Sequence, residues 1–218
     1  MNGIESLNYY STIEEKINII SHAIGFILSI VAFIFLVIHA NLHGNVWHIV
    51  SFSIFGASLI TLYAASTFYH SAKKSELRNR LNIIDHASIY ILIAGTYTPF
   101  TLVTLKGTIG WVIFGTTWGL ALTGIILKLF FTGKYNLIST IMYVLMGWVI
   151  VFAIKPLINN LPLEGLIWLL VGGISYTIGA ILYSIKKIKF NHAIFHMFVL
   201  SGSFCQFMSV FFYVLPSE

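Results

Sequence analysis

The chain is 218 residues long, 58% of them hydrophobic and only 9% charged, with a mean hydropathy of +0.90. So few charges cannot cover a water-soluble surface, which excludes an ordinary soluble domain and points to a polytopic membrane protein. The net charge of +5 does not call for nucleic acid. No nucleic-acid motif, phosphate-cradling glycine loop or low-complexity tract accompanies it, and basic loops facing anionic headgroups account for the excess.

Seven apolar stretches follow one another, Ile19–Ala40, Val46–Tyr69, Leu81–Thr104, Ile109–Phe131, Leu137–Ile154, Gly165–Ile185 and Ala193–Leu215. Each is near the ~20 residues that carry a helix across ~30 Å of hydrocarbon. Barrel strands would alternate polar and apolar, whereas these runs are apolar throughout with scattered Gly, Ser and Thr, so the expected fold is all-α, a seven-helix transmembrane bundle. Residues 1–218 are read as one such domain, which opens with a short cytoplasmic N-terminal segment over 1–16. The first span is too long for a signal-peptide core and lacks a small-residue cleavage pattern, so it is expected to remain as a membrane helix.

Pro99 should kink the third span, with neighbouring helices satisfying the carbonyl it frees. In the sixth span Gly172, Gly173 and Gly179 are the small residues that close helix contact in lipid requires. Cys205, the single cysteine, excludes an internal disulfide and a thiolate cluster and reads as a small buried apolar side chain. An odd number of spans without a convincing inverted repeat argues against a repeat-built transporter.

Charge sets the expected orientation. Connections after the even-numbered spans hold Lys73, Lys74, Arg78, Arg80, Lys128, Lys134, Lys186, Lys187 and Lys189, nine of the twelve basic residues. Positive loops stay inside, so the N-terminus should be cytoplasmic and the C-terminus outside. Helix direction then converts sequence position into depth. His70 closes the second span, Asp85 opens the third, and His192 and His196 open the seventh, all near the cytoplasmic side. Glu15, Asn18, Ser21 and His22 open the first span at the same level, three to four residues apart and therefore on one face.

Ionisable groups inside a membrane are costly and by default mark function. His192 and His196, four residues apart, project from one helix face and can grip a single ion, and His70 is expected at matching depth. Three neutral imidazoles with one open position describe a catalytic zinc site, where the pKa of a bound water falls to ~7. Asp85, the sole aspartate, is the natural base for that water; the alternative is a structural ion pair with Arg78 or Arg80. Ser66, four residues before His70, either donates to the water or a developing oxyanion, or bonds its own helix carbonyl. Glu15, Asn18 and His22 are expected to support the ligands from outside or to latch helices one and seven together. His86 points about 100° away from Asp85 around the helix and is read as a packing or loop-facing residue. His39, His43 and His48 belong to the opposite membrane surface and are read as interfacial.

Taken in order, Glu15-x-x-Asn18-x-x-Ser21-His22, Ser66-x-x-x-His70, Asp85-His86, Ala94-Gly95-Thr96-Tyr97-Thr98-Pro99 and His192-x-x-x-His196 resemble the bacterial hemolysin III family. That family is a branch of the progestin and adiponectin receptor superfamily, and the resemblance covers almost the whole chain. It implies seven helices with a cytoplasmic N-terminus, zinc held by the counterparts of His70, His192 and His196, and Asp85 beside the metal-bound water. In the related receptors and in alkaline ceramidases this arrangement goes with hydrolysis of a lipid amide. The long N-terminal domain of the receptors has no counterpart here, so hormone binding is not carried over.

The expected function is accordingly a zinc-dependent hydrolase of a lipid amide or ester, in the bacterial plasma membrane, with its substrate entering from the bilayer. Two other readings remain. One is a cytolysin, which would need an oligomer because the ionisable residues cluster at one end and give no through-path. The other is a non-enzymatic regulator of membrane lipid homeostasis.

Overall fold

A computed structural model describes residues 10–132 and 136–215. Lys134 and residues 1–9 of the expected N-terminal segment lie outside the described residues. The helices are α1 (Thr12–His43), α2 (Val46–Ser71), α3 (Ser75–Pro99), α4 (Gly107–Phe131), α5 (Asn136–Gly147), α6 (Ile154–Asn160), α7 (Leu163–Ser184) and α8 (Asn191–Ser209). Among the described residues seven spans are long and apolar enough to cross a membrane, the fifth formed by α5 and α6 together, and there is no strand.

The first span begins well before Ile19, within the segment expected to lie outside it. Ser11 accepts a hydrogen bond from the Glu14 N–H, and Glu14 and Glu15 occupy the first turn, where the helix dipole favours anions. These polar first turns are not exposed to lipid: Glu14, Asn18, Ser21 and His22 are buried against the bundle. Hydropathy could not report a helical segment whose polar side faces protein. At the other end Asn45 caps α2, accepting from the Trp47 and His48 amides while His48 Nδ1 accepts from the Asn45 N–H.

Pro99 does not end the third span. The next five residues, Phe100–Thr104, continue as a π-helix closed by the Leu105 N–H on the Phe100 carbonyl. A second π-helix, Val210–Val214, extends α8 at the same end of the bundle. The fifth span is interrupted, passing from α5 through Trp148 into a 3-10 segment at Val149–Ala153. Tyr97 of α3 bridges the interruption: its hydroxyl donates to the Gly147 carbonyl at 2.7 Å and accepts from the Ile150 N–H at 2.9 Å.

The third span is the centre of the bundle, with 78% of its apolar stretch buried against 17% for the fifth. It packs on α2 and α4; α1 packs on α2 and α8, and α7 on α8. Small residues permit these contacts. A Cβ on Gly124 would meet the Tyr90 ring at 2.3 Å, and one on Gly179 would meet Phe198 at 2.7 Å. Gly172 is likewise closed by Gln206, whereas Gly173 faces Trp148 with room for a side chain, so two of the three glycines expected to close helix contacts do so.

Candidate metal centre

The threading brings the second, third and seventh spans to one end of the bundle with the start of the first. We call it the basic end, because the Lys73–Arg80 and Lys186–Lys189 connections lie there. His70 occupies the last turn of α2, and His192 and His196 lie on one face in the first turns of α8. Each offers a ring nitrogen, and the three nitrogens fall within 4.8 Å of one another. All three side chains are buried.

The orientation of His70 is fixed from outside. Its Nδ1–H donates to Glu15 Oε2 at 2.7 Å, which leaves Nε2 as the lone-pair nitrogen, 3.1 Å from Nε2 of His192. Donors placed ~2.0–2.1 Å from a tetrahedral ion stand roughly 3.3–3.4 Å apart, so this spacing fits a shared cation. A carboxylate on the distal nitrogen of a ligand histidine is the usual means of fixing its tautomer. Glu15 is held in turn by Arg78, which is 2% exposed and pairs with Glu15 Oε1. Arg78 Nη1 also reaches the Tyr69, His70 and Ala72 carbonyls at the end of α2.

Glu15 thus ties α1 to α2 and α3, and does not latch the first span to the seventh, α8. His22 makes that contact, its ring stacked on His196 with centroids 3.5 Å apart and planes at 13°. Asn18 is fully buried, and neither atom of its amide has a hydrogen-bond partner. Both nitrogens of His22 share that condition.

Asp85 and Ser66 are buried in the wall of a cavity of about 380 Å³ that His22, His192 and His196 also line. The ion pair of Arg78 is with Glu15 and that of Arg80 with Glu76, so the structural pairing considered for Asp85 is taken up elsewhere. Ser58 and Ser88 donate to carbonyls of their own helices; Ser66 Oγ makes no such bond and is directed at the Asp85 carboxylate.

His86 departs from expectation. It lines the same cavity, with Nδ1 2.9 Å from the Asn82 carbonyl and 3.9 Å from Asp85 Oδ2. The cavity wraps far enough around α3 to take in two residues about 100° apart. His39, His43 and His48 fall at the opposite end as expected, His48 serving in the α2 cap.

Two aromatic residues near the cluster carry no signal in the sequence pattern. Tyr10 stacks on His192 with centroids 4.6 Å apart and lies 5.9 Å from His70, and the Tyr183 ring is 5.4 Å from His192. Burial raises the Tyr10 phenol above its ordinary range, so it covers the imidazoles as a neutral ring. Arg78 could have been found: it sits seven residues before Asp85, two helical turns along the same face.

From Asp85 and His86 the cavity runs along α3 and α8 to Leu157, Leu166 and Gln206, with mostly apolar walls. His192 and Gln206, fourteen residues apart on one helix face of the bundle interior, are separated by ~21 Å of helix axis. Between α5–α6 and α7 the lining residues Val151, Ile158 and Leu170 are about half exposed on the lipid-facing surface. The arrangement sets three imidazoles that could hold a metal ion, a carboxylate and a hydroxyl beside an apolar chamber open to the side.

Residues 10–207 match a family model described as Haemolysin-III related. The chain is 50% identical over 204 residues to Hemolysin-3 of Bacillus cereus, covering 94% of this chain and 93% of that protein. It is 50% identical over 203 residues to the Hemolysin-3 homolog of Bacillus subtilis, 93% and 95% of the two chains. A more distant similarity, 28% identity over 214 residues, is to the human monocyte to macrophage differentiation factor, covering 94% of this chain and 86% of that protein.

Proposed function

The chain belongs to the Haemolysin-III related family, and on that premise we propose that it is a zinc-dependent hydrolase of a lipid amide or ester bond, residing in the bacterial plasma membrane with its basic end cytoplasmic. The observation that carries this reading is the convergence of three imidazole nitrogens within 4.8 Å, two of them from histidines, His192 and His196, that line an apolar cavity. When bound by His70, His192 and His196, zinc supplies Lewis acidity and brings the pKa of a water to ~7.

The residues of the chain do the rest. The cavity seats the acyl chain, entered from the bilayer between α5–α6 and α7, and keeps bulk water from the scissile carbonyl. Ser66 Oγ donates to the carbonyl oxygen as charge grows on it. Asp85 takes a proton from the attacking water at its carboxylate and delivers it to the departing nitrogen or oxygen, leaving a fatty acid and an amine or alcohol. Glu15 and Arg78 hold His70 in the tautomer that keeps Nε2 free.

Metal analysis of the purified protein, joined to lipid mass spectrometry, tests the assignment. Asp85→Asn keeps its metal and loses turnover by roughly 10²–10⁴-fold, the usual worth of a positioned acid–base group, whereas His196→Ala loses the metal itself. Equal metal content and equal product in the two variants would overturn it.

The names of the two Bacillus relatives favour a second reading, membrane lysis. A pore within one subunit needs polar side chains through the full thickness, yet here an apolar chamber lies between the polar ends. Lysis would therefore require several copies, and leakage from proteoliposomes that persists after chelation would favour it over hydrolysis.

A further inference from the structure

Two of the three candidate ligands are held in different ways. Glu15 fixes His70 through a hydrogen bond. His196 has no such partner: its Nδ1 is buried and closes no hydrogen bond, although the Asn18 backbone lies near it. Against its ring lies the ring of His22, with centroids 3.5 Å apart and planes at 13°.

His22 is itself clamped. The Tyr63 ring meets it edge to face at 5.1 Å and 86°. Tyr63 is held by its hydroxyl, which donates to Ser203 Oγ at 2.8 Å. Gly25, three residues beyond His22 on α1, lets the Tyr63 ring approach, since a Cβ there would meet it at 2.6 Å. Side chains of α1, α2 and α8 thus form a stack whose last member is a candidate ligand.

The chemistry of His22 narrows what it can do. It lines the chamber and is 3% exposed, but both of its ring nitrogens are buried and without a partner. Nitrogens sealed in this way neither bind a substrate nor take its proton, so the face of the ring is the part in use. That face stands in a register that neutral aromatic pairs avoid. Like quadrupoles repel face to face, and offset or edge-on pairs with centroids ~4.5–7 Å apart are preferred. Coordination through His196 reverses the sign. Electron density drawn from that imidazole leaves its face positive, and a positive group over an aromatic face is attracted to it.

We infer that His22 is a positioning residue for the cation: its ring backs His196 face to face and favours the metal-loaded cluster over the empty one. The inference rests on the metal reading of His70, His192 and His196, and not on hydrolysis.

Zinc affinity by competitive chelation and the absorption bands of the cobalt-loaded protein, both on the full-length chain in detergent micelles, test this. His22→Phe keeps a ring face without the nitrogens; it holds zinc within about twofold of wild type and keeps the cobalt bands. His22→Leu, which fills the space without a ring, and His22→Gln, which is polar without a ring, each weaken zinc about tenfold and shift the bands. A role in folding alone would lower the melting temperature of the metal-free protein and leave the bands in place. Wild-type zinc affinity in His22→Leu overturns the inference, as does a loss in His22→Phe equal to that in His22→Leu. Retention by His22→Gln with loss in His22→Phe also overturns it and assigns the imidazole to polar contact with Asn18, one turn earlier. If His22→Phe does not fold, the other two variants decide: loss in both supports the stack and retention in either overturns it. Wild-type protein that binds no metal overturns the centre itself, a result distinct from equal affinity across the variants.

Discussion

Each end of the bundle has its own group of histidines, and the two groups do different work. At the basic end His22, His70, His192 and His196 come from three spans, are buried, and bring three ring nitrogens within 4.8 Å. At the far end His39 and His43 come from one helix, 5.2 Å apart and tilted, and His48 is spent on the cap of α2. Each group contains one pair four residues apart on a helix, His192 and His196 in the first and His39 and His43 in the second. What separates them is convergence from different helices, which only threading supplies. The same contrast holds for charge: Glu15 and Asp85 accompany the first group, while among the described residues no carboxylate lines the cavity that His43 and His48 share at the second.

The comparison breaks most directly at a ligand. His192→Ala should abolish metal binding, while His43→Ala should leave it intact, as measured by metal per mole of purified protein; retention by the first variant would dissolve the distinction between the ends. A smaller effect is expected one bond away from the ligands. Glu15→Gln keeps the size of the side chain but weakens its hold on the His70 Nδ1–H, and metal affinity should fall 10–100-fold by competitive chelation. The smallest effect belongs to the far end, where Asn45→Ala removes a cap and should lower stability by about 1 kcal/mol with metal content unchanged.

The seven spans and the common level of the three histidines were legible because hydrocarbon imposes length, and alternating direction turns position into depth. His70, His192 and His196 could be brought together on paper for that reason. Angular reasoning was less secure. The 100° step from Asp85 to His86 sends the second residue off the first one's row, but the chamber covers more of α3 than one row of side chains. The early start of α1 was hidden because hydropathy sees apolar residues, and Glu14, Asn18 and Ser21 form the protein-facing side of that helix. Tyr10 was invisible for a different reason: it lies outside every periodic segment and is recruited by the ring of His192.

The interruption of the fifth span has a consequence for how the spans depend on one another. Two main-chain groups there, the Gly147 carbonyl and the Ile150 amide, are served by the phenolic oxygen of Tyr97. In oil neither can borrow from solvent. The contour of the chamber's outer wall is therefore written partly in another segment of the chain, and a single oxygen on α3 licenses the fifth span to depart from a continuous α-helix.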